Sequence, residues 1–382
     1  GQHVHESEPG AQEVLDAGCA NVIDYLQHYE WIHDVTLPVR YELCVCATKD
    51  RAGKVPSDPA DWAWYMPGHD SEKDAAQIAH PVTAMSDDGS AVPTPVLRAV
   101  FQNVKDTGLY LIEHCEHHDT GAVNEGPVSR ALGVPGIPED TELAIVQRDI
   151  DLVRETGVHV HFQHVSTAIS FDAIRRAKAE GLPITCETAP HYLALNDEAL
   201  LKYGTLAKMN PPLRSEKDRQ ATIAAIADGT VDMIATDHAP HTLDEKRLGF
   251  LEAPNGIIGL ECAFGVCHKI LVDGGYISDE RLIELMALNP ASLMGRHSTD
   301  IAGLLNTSST CATTRTLDLA ATEHPESNDL VILGLDDEWT VAADEFKSNA
   351  RNTPFDGWQV TGRPYATIIG SKLVFHRLDA LH

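Results

Sequence analysis

The run Ala235-Thr236-Asp237-His238-Ala239-Pro240-His241 puts a carboxylate and two imidazoles at the exit of a short apolar stretch, Val231 to Ala235. Pro240 stops regular structure soon after. A carboxylate at the C-terminal end of a parallel strand stands where α/β barrels keep their reactive groups. Alone, the run reads equally well as a polar strand-to-loop turn, but other donors repeat the arrangement. His3 and His5 are two apart, a spacing that points both imidazoles to one face of a strand. His114 follows the apolar run Leu109–Ile112, His164 follows Val158–Phe162, and Asp88 follows Val82–Met85. Taken singly, each histidine is a hydrogen-bonded core or loop residue, and the neighbouring Asp87 is a polar turn. In a barrel, strand exits converge on one mouth. His3, His5, Asp88, His114, His164 and Asp237 would then face one another, a nitrogen and oxygen set that suits one or two Zn²⁺ ions.

Elements able to position such a set are visible along the chain. Strand candidates are Leu43–Ala47, Val82–Met85, Leu109–Ile112, Val158–Phe162, Ile184–Glu187 and Met233–Ala235. Helical spacing occupies Pro95–Thr107, Glu142–Thr156, Phe171–Ala179 and Arg214–Ala227, the last with an S-x-x-D capping box at Ser215 and Asp218. The strands lack strict alternation, which suits a parallel sheet covered on both faces. At least six such units, with no G-x-G-x-x-G or P-loop pattern, predict a TIM-type (β/α)8 barrel rather than an open doubly wound sheet. Lys49–Ala79, rich in Pro and Asp and holding Trp62, Trp64 and Tyr65, reads as a long loop or lid. The predicted organisation is a barrel over 1–297, an exposed loop over 298–328 and a β segment over 329–382. In that last segment Asp329–Leu335, Trp339–Val341 and Tyr365–Val374 read as antiparallel strands of a small β-sandwich satellite, with turns at Asp336-Asp337 and Gly370-Ser371.

The chain has 382 residues, 43% hydrophobic, enough for a large core. Its net charge of −28, from 29 basic and 57 acidic residues, argues against nucleic acid or an anionic membrane surface as partner. An anionic substrate would need local positive charge, from a metal or a few placed side chains. The eight cysteines include no C-x-x-C pair and sit largely in apolar runs, as Cys44 and Cys46 do, so they read as buried reduced thiols of a cytoplasmic protein. No apolar run is long enough to span a membrane and no signal-peptide pattern is present. Gly1 to His5 reads like the middle of a domain.

The chain resembles the dihydroorotases of the bacterial class I type, within the amidohydrolase superfamily. The likeness rests on His3-Val4-His5 with Glu8-Pro9-Gly10, Ser86-Asp87-Asp88-Gly89, Glu113-His114-Cys115-Glu116 and Gln163-His164-Val165-Ser166-Thr167. It continues in Thr188-Ala189-Pro190-His191, Lys208-Met209-Asn210-Pro211-Pro212-Leu213-Arg214, the Asp237 run and Asn352-Thr353-Pro354-Phe355. These motifs span nearly the whole chain in family order. The resemblance implies His3, His5 and Asp237 on one zinc, His114 and His164 on a second, and Asp88 bridging them. No lysine is present in Val82–Met85 to serve as the carboxylated bridge found in many superfamily members. It implies that activated water attacks the ring amide carbon of dihydroorotate, with Asp237 as general base and then acid. Asn210, His241, Asn255 and Gly256 match substrate-contact positions, while Arg214 reads as a structural ion-pair partner.

Two departures stand out. Where the family carries an arginine that clamps the substrate carboxylate, this chain has Ser7, at most a weak substrate contact. After Gly10 the family's second strand and its Met-Pro-Asn-Thr turn are not visible. Either a segment is missing at about Gly10–Ala11, since barrel closure fixes strand number, or Cys19–Ile23 takes the strand's place. The readings that follow are an active zinc dihydroorotase, a catalytically weak subunit scaffolding aspartate transcarbamoylase, or an amidohydrolase of allantoin or hydantoin type. A homo-oligomer is expected.

Overall fold

The computed structural model describes residues 39–63, 66, 82–87, 89–116, 121–296 and 329–377. Within them the chain alternates strand and helix as its apolar rhythm predicts. The strands are β1 (Leu43–Val45), β2 (Val82–Met85), β3 (Tyr110–Glu113), the short pair β4 (Val123–Asn124) and β5 (Gly136–Ile137), β6 (Val160–Phe162), β7 (Ile184–Thr188) and β8 (Met233–Ile234). Six of these form one sheet in the order β1-β2-β3-β6-β7-β8, every pairing parallel. This is the curled sheet of a TIM-type (β/α)8 barrel. Parallel neighbours require helical crossovers, which cover the sheet and bury its strands on both faces.

The crossovers include α1 (Thr94–Thr107), α2 (Asp140–Thr156), α3 (Ala168–Ala179) and α4 (Glu216–Ala227). Helix α1 turns Val96, Leu97, Val100, Phe101 and Val104 inward and ends at Gly108, whose φ of 72° closes the C-terminus. Helix α3 is capped by Thr167, whose hydroxyl accepts from Ser170 N. At α4 only half of the expected capping box forms. Ser215 Oγ accepts from Asp218 N, while the Asp218 carboxylate accepts the Ser215 hydroxyl (2.6 Å) and Ala168 N (2.9 Å) instead of Ser215 N, tying α4 to the start of α3. One apolar cluster, including Met85, Leu97, Phe101, Leu111, Phe162, Phe171 and Ile174, fills the space between sheet and helices.

The satellite is a three-stranded antiparallel sheet in the order β11-β10-β9, from β9 (Leu330–Thr340), β10 (Gln359–Ile369) and β11 (Lys372–His376). The hairpin at Gly370-Ser371 is as predicted, with φ of 55° and 63°. The turn predicted at Asp336-Asp337 is not made: β9 runs through it as one strand of 11 residues. Among the described residues β9 pairs on one side only, so Asp336 and Glu338 face solvent and Asp337 takes the Tyr365 hydroxyl without leaving the ladder. Register shifts between β9 and β10 absorb the irregularity, one of them beside Pro364. A second cluster, with Val266, Val341, Phe355 and Val360, joins this sheet to the barrel.

Of the cysteines, Cys115, Cys186, Cys262 and Cys267 are buried, whereas Cys44 is exposed and Cys46 only part-buried. No described cysteine is in a disulfide. No helix among the described residues is long and apolar enough to cross a membrane. His3, His5, Ser7, Asp88, Trp64, Tyr65, the Gly10–Ala11 junction, Cys19–Ile23 and the 298–328 loop lie outside the described residues.

Candidate metal centre and its surrounding loops

The sheet ends deliver histidines as anticipated. His114 follows β3 directly, and His164 stands two residues past β6. Both are buried, their rings meeting edge-on with centroids 4.3 Å apart. With Glu116 they form a group whose ligand atoms all lie within 4.8 Å of one another. Glu116 Oε1 lies 2.9 Å from His114 Nδ1 but not in hydrogen-bond alignment, which brings the carboxylate and the imidazole to the same point. His164 holds a left-handed φ of 33° and Asp237 one of 47°. Non-glycine residues adopt that region at a cost, and such strain collects where side-chain direction matters.

His164 Nδ1 is buried without a hydrogen-bond partner among the described residues. An orphaned imidazole nitrogen costs free energy unless something fills its coordination. Two imidazoles and a carboxylate around one point are a donor set for a divalent metal of zinc type. The residues fit a metal. Asp237 is half-buried beyond β8 and is not part of the 4.8 Å group. It shares surroundings with Glu116: burial first, then the charges of Asp237 and Glu116, push the Tyr192 phenol up. His191, next to Tyr192, is held down to about 3 by burial and by His164. Asp87 is buried and holds Thr48, accepting Thr48 N at 2.9 Å and the Thr48 hydroxyl, so it braces the β2 exit from below.

The loop behind His164 is fixed by a residue the sequence did not single out. Glu142, buried in the first turn of α2, accepts four hydrogen bonds. Its Oε2 takes Ser166 N (3.1 Å) and Oγ (2.5 Å), and its Oε1 takes Thr167 N (3.0 Å) and Oγ1 (2.6 Å). Arg214 supports the same loop through Ser166 Oγ at 3.2 Å, and it reaches Asn124 Oδ1 and Ile137 O. These partners are neutral, so among the described residues Arg214 acts as a structural support without a direct ion pair. Glu113, one residue before His114, is likewise buried and bonded to Val92 N (2.9 Å) and Arg148 (3.0 Å). Only long-range packing reveals Glu142 and Glu113 as supports.

The expected substrate contacts gather in a second cluster. His241 Nε2 donates to Asn255 O at 2.7 Å, and Gly256 N donates to Lys208 O at 3.0 Å, two residues before Asn210. Asn352 is the knot: its Oδ1 accepts His241 N (3.1 Å), and its Nδ2 donates to Ala239 O (2.9 Å) and Gly256 O (3.2 Å). Buried Lys246 donates to the carbonyls of Lys208 (3.1 Å), Pro254 (2.9 Å) and Gly256 (3.0 Å). Gly256 has a φ of +113°, and a Cβ there would come within 2.4 Å of Ala239 Cβ. Lys208, Ala239, His241 and Asn255-Gly256 are thus one cross-braced unit, with Asn210 in the same segment. His238 serves this frame rather than the cluster, its Nδ1 accepting Gly259 N at 3.2 Å.

Known proteins agree with this architecture. The chain is similar to the dihydroorotase of Lactiplantibacillus plantarum, 41% identical over 98% of this chain and 85% of that protein. It is also similar to the dihydroorotases of Acetivibrio thermocellus (39% over 76%) and Geobacter metallireducens (41% over 77%). Of these last two the chain spans 64% and 65%, under two thirds of their length. In fold it is similar to the L-hydantoinase (dihydropyrimidinase) of Arthrobacter aurescens, with a TM-score of 0.66 at 23% identity, covering 94% of this chain and 75% of that one. It also matches the dihydropyrimidinase of Brevibacillus agri, with a TM-score of 0.63 at 20% identity, covering 77% and 64%. Residues 68–300 match the amidohydrolase family, and with that span and these relatives the chain belongs to it.

Proposed function

We propose that this chain is a zinc-dependent dihydroorotase, interconverting dihydroorotate and N-carbamoyl-L-aspartate. The observation that carries the reading is the 41% identity to a dihydroorotase along 98% of the chain. The buried His114–Glu116–His164 group supports it from the side of chemistry.

In this reading one or two Zn²⁺ ions are held by His3, His5, Asp88, His114, His164 and Asp237. Zinc, when bound, would lower the pKa of a water toward neutrality and would polarise the amide carbonyl as a Lewis acid. The chain's own groups do the rest. Asp237 takes the proton from the attacking water and passes it to the leaving ring nitrogen, and in ring closure it works in reverse. Its half-buried place at a strand exit suits a carboxylate that must exchange protons. Asn210, His241, Asn255 and Gly256, with a weaker contribution from Ser7, hold the substrate. Because Asn255 O can only accept, His241 carries its proton on Nε2, which fixes the tautomer it presents. Glu142 and Asn352 are positioning residues, one for the His164 loop and one for the His241 segment.

The same proposal divides the chain into a hydrolase barrel over 1–297, a loop over 298–328 and a satellite over 329–382, and it places the protein in the cytoplasm. It includes a homo-oligomer and association with aspartate transcarbamoylase, tested by solution mass and co-purification. The decisive experiment measures zinc content and dihydroorotate turnover on one preparation, alongside Ser7→Arg. Stoichiometric zinc with turnover, raised by Ser7→Arg, supports the reading. Stoichiometric zinc with no turnover in either protein overturns it.

A further inference from the structure

A cavity of about 1060 Å³ lies between the satellite sheet and the segment carrying His238 and His241. Leu260, Phe264 and Trp339 give its lining an apolar part, beside Arg363 and Arg377. Arg377 N donates to Tyr365 O at 2.8 Å, so Arg377 stands across from Tyr365, two residues from Arg363. Both arginines line the cavity, close enough for Arg363 to repel Arg377. Each guanidinium lies over a ring, Arg363 at 5.0 Å from Trp339 and Arg377 at 5.3 Å from Phe375. Stacking fixes the plane of a guanidinium while its N–H donors still point outward, the posture used to grip oxyanions in bidentate fashion.

Neither guanidinium has a carboxylate within ion-pair distance among the described residues, although acids outnumber bases almost two to one in this chain, 57 to 29. Both Nε atoms are buried without a hydrogen-bond partner. Of the acids near them, two are held elsewhere, while Glu345 also lines the cavity and favours the charged form of Arg377. Glu261 accepts Lys347 N and Ser348 N at 2.9 and 3.0 Å, and Asp337 takes the Tyr365 hydroxyl. Burial first, and then repulsion from Arg363, lowers the pKa of Arg377. Two neighbouring guanidiniums lining one cavity match a dianion better than a single carboxylate. The cavity is also far larger than a bare anion needs, at the upper end of the range for small-molecule sites.

We propose that this cavity binds an organic phosphate monoester bearing a planar ring, such as a nucleoside monophosphate. Its phosphate bridges Arg363 and Arg377, and its ring lies against Leu260, Phe264 and Trp339. The site is separate from the metal centre and does not rest on the assigned reaction, but its occupant touches the segment that carries His241.

Calorimetric titration of the metal-loaded protein with adenosine 5′-monophosphate and uridine 5′-monophosphate tests this, with adenosine and inorganic phosphate as partial probes. The expected result is saturable nucleotide binding, at least about tenfold tighter than either partial probe and weakened about tenfold or more in Arg363→Gln and in Arg377→Gln. Nucleotide binding unchanged in both variants, or no binding at millimolar nucleotide, overturns the proposal. Phosphate binding as tightly as the nucleotides removes the ring from it. Should a variant fail to fold, phenylglyoxal footprinting of the wild-type protein decides: nucleotide must protect Arg363 and Arg377 from modification, and equal labelling with and without it refutes the site.

Discussion

Glu142→Gln isolates the support of the metal loop from the metal ligands themselves. The carboxylate is 1% exposed and receives four donors, two from backbone and two from hydroxyls. A glutamine offers one acceptor oxygen and one amino group in its place. Whichever way the amide turns, its NH2 faces either Ser166 or Thr167. The hydroxyl on that side can rotate to accept, but the backbone N–H cannot, and it is left buried against another donor. Losing one charge-assisted bond and stranding that donor costs about 1.5–3 kcal/mol, and weakening the remaining three bonds by neutralisation adds about 1 kcal/mol. Ser166 Oγ also accepts from Arg214, so turning it toward the amide disturbs a second bond. The expected total is about 3 kcal/mol of lost stability. The loop that relaxes begins at His164, with its left-handed backbone, so metal affinity should fall about tenfold or more, as for other supports of ligating histidines. Urea unfolding gives the first quantity, and metal titration monitored by competition with a chelating dye gives the second. A variant within about 0.5 kcal/mol of wild type that retains full metal affinity refutes the argument.

Other outcomes follow from the same geometry. His164→Asn should strip most bound metal. Glu116→Gln should weaken metal binding less if Glu116 orients His114 than if it is itself a ligand, so measuring metal retained by both variants separates the two roles. Gly256→Ala must force a side chain to φ +113° and within 2.4 Å of Ala239 Cβ, so a loss of about 2–4 kcal/mol and a raised KM are expected. Unchanged thermal unfolding and kinetics would count against the cross-braced unit. Burial, and then Lys208, hold Lys246 down to about 8, below its value of about 10.4 in an unfolded chain. Between those pH values the unfolded chain binds a proton that the folded one releases, so stability should climb by up to about 3 kcal/mol as pH rises through that window. Lys246→Met lacks that proton and should lack the climb; equal slopes in variant and wild type sink the assignment.

What could be read along the chain and what could not divide by the range of the interaction. Strands β2, β3, β6, β7 and β8 are legible because burial on both faces writes each as a nearly unbroken apolar run, and the residue where polarity resumes marks the strand exit. That is why His114, His164 and Asp237 are picked out by position alone. Asp336-Asp337 misleads because acidic pairs favour turns, yet on an edge strand they also keep a solvent-facing ladder soluble. Glu116 lies inside a motif that carries the resemblance, yet its role is not written there: an acid two residues beyond a histidine looks the same in a solvated loop as beside a metal. Glu142 is further from view, 22 residues before His164 on a helix whose spacing marks it merely as one more inward position, and its meaning arises when α2 packs its first turn against the loop after β6. Asn352 and Lys246 show the same limit from opposite directions. Both close hydrogen bonds on backbone carbonyls, and no residue pattern records which carbonyl a fold will bring near. The chemistry-bearing atoms are therefore readable from sequence here, whereas the groups that hold them at working distance are properties of tertiary contact. Conservative changes at Glu142 and Asn352, far from any predicted ligand, should accordingly disturb the site as strongly as changes in its substrate contacts.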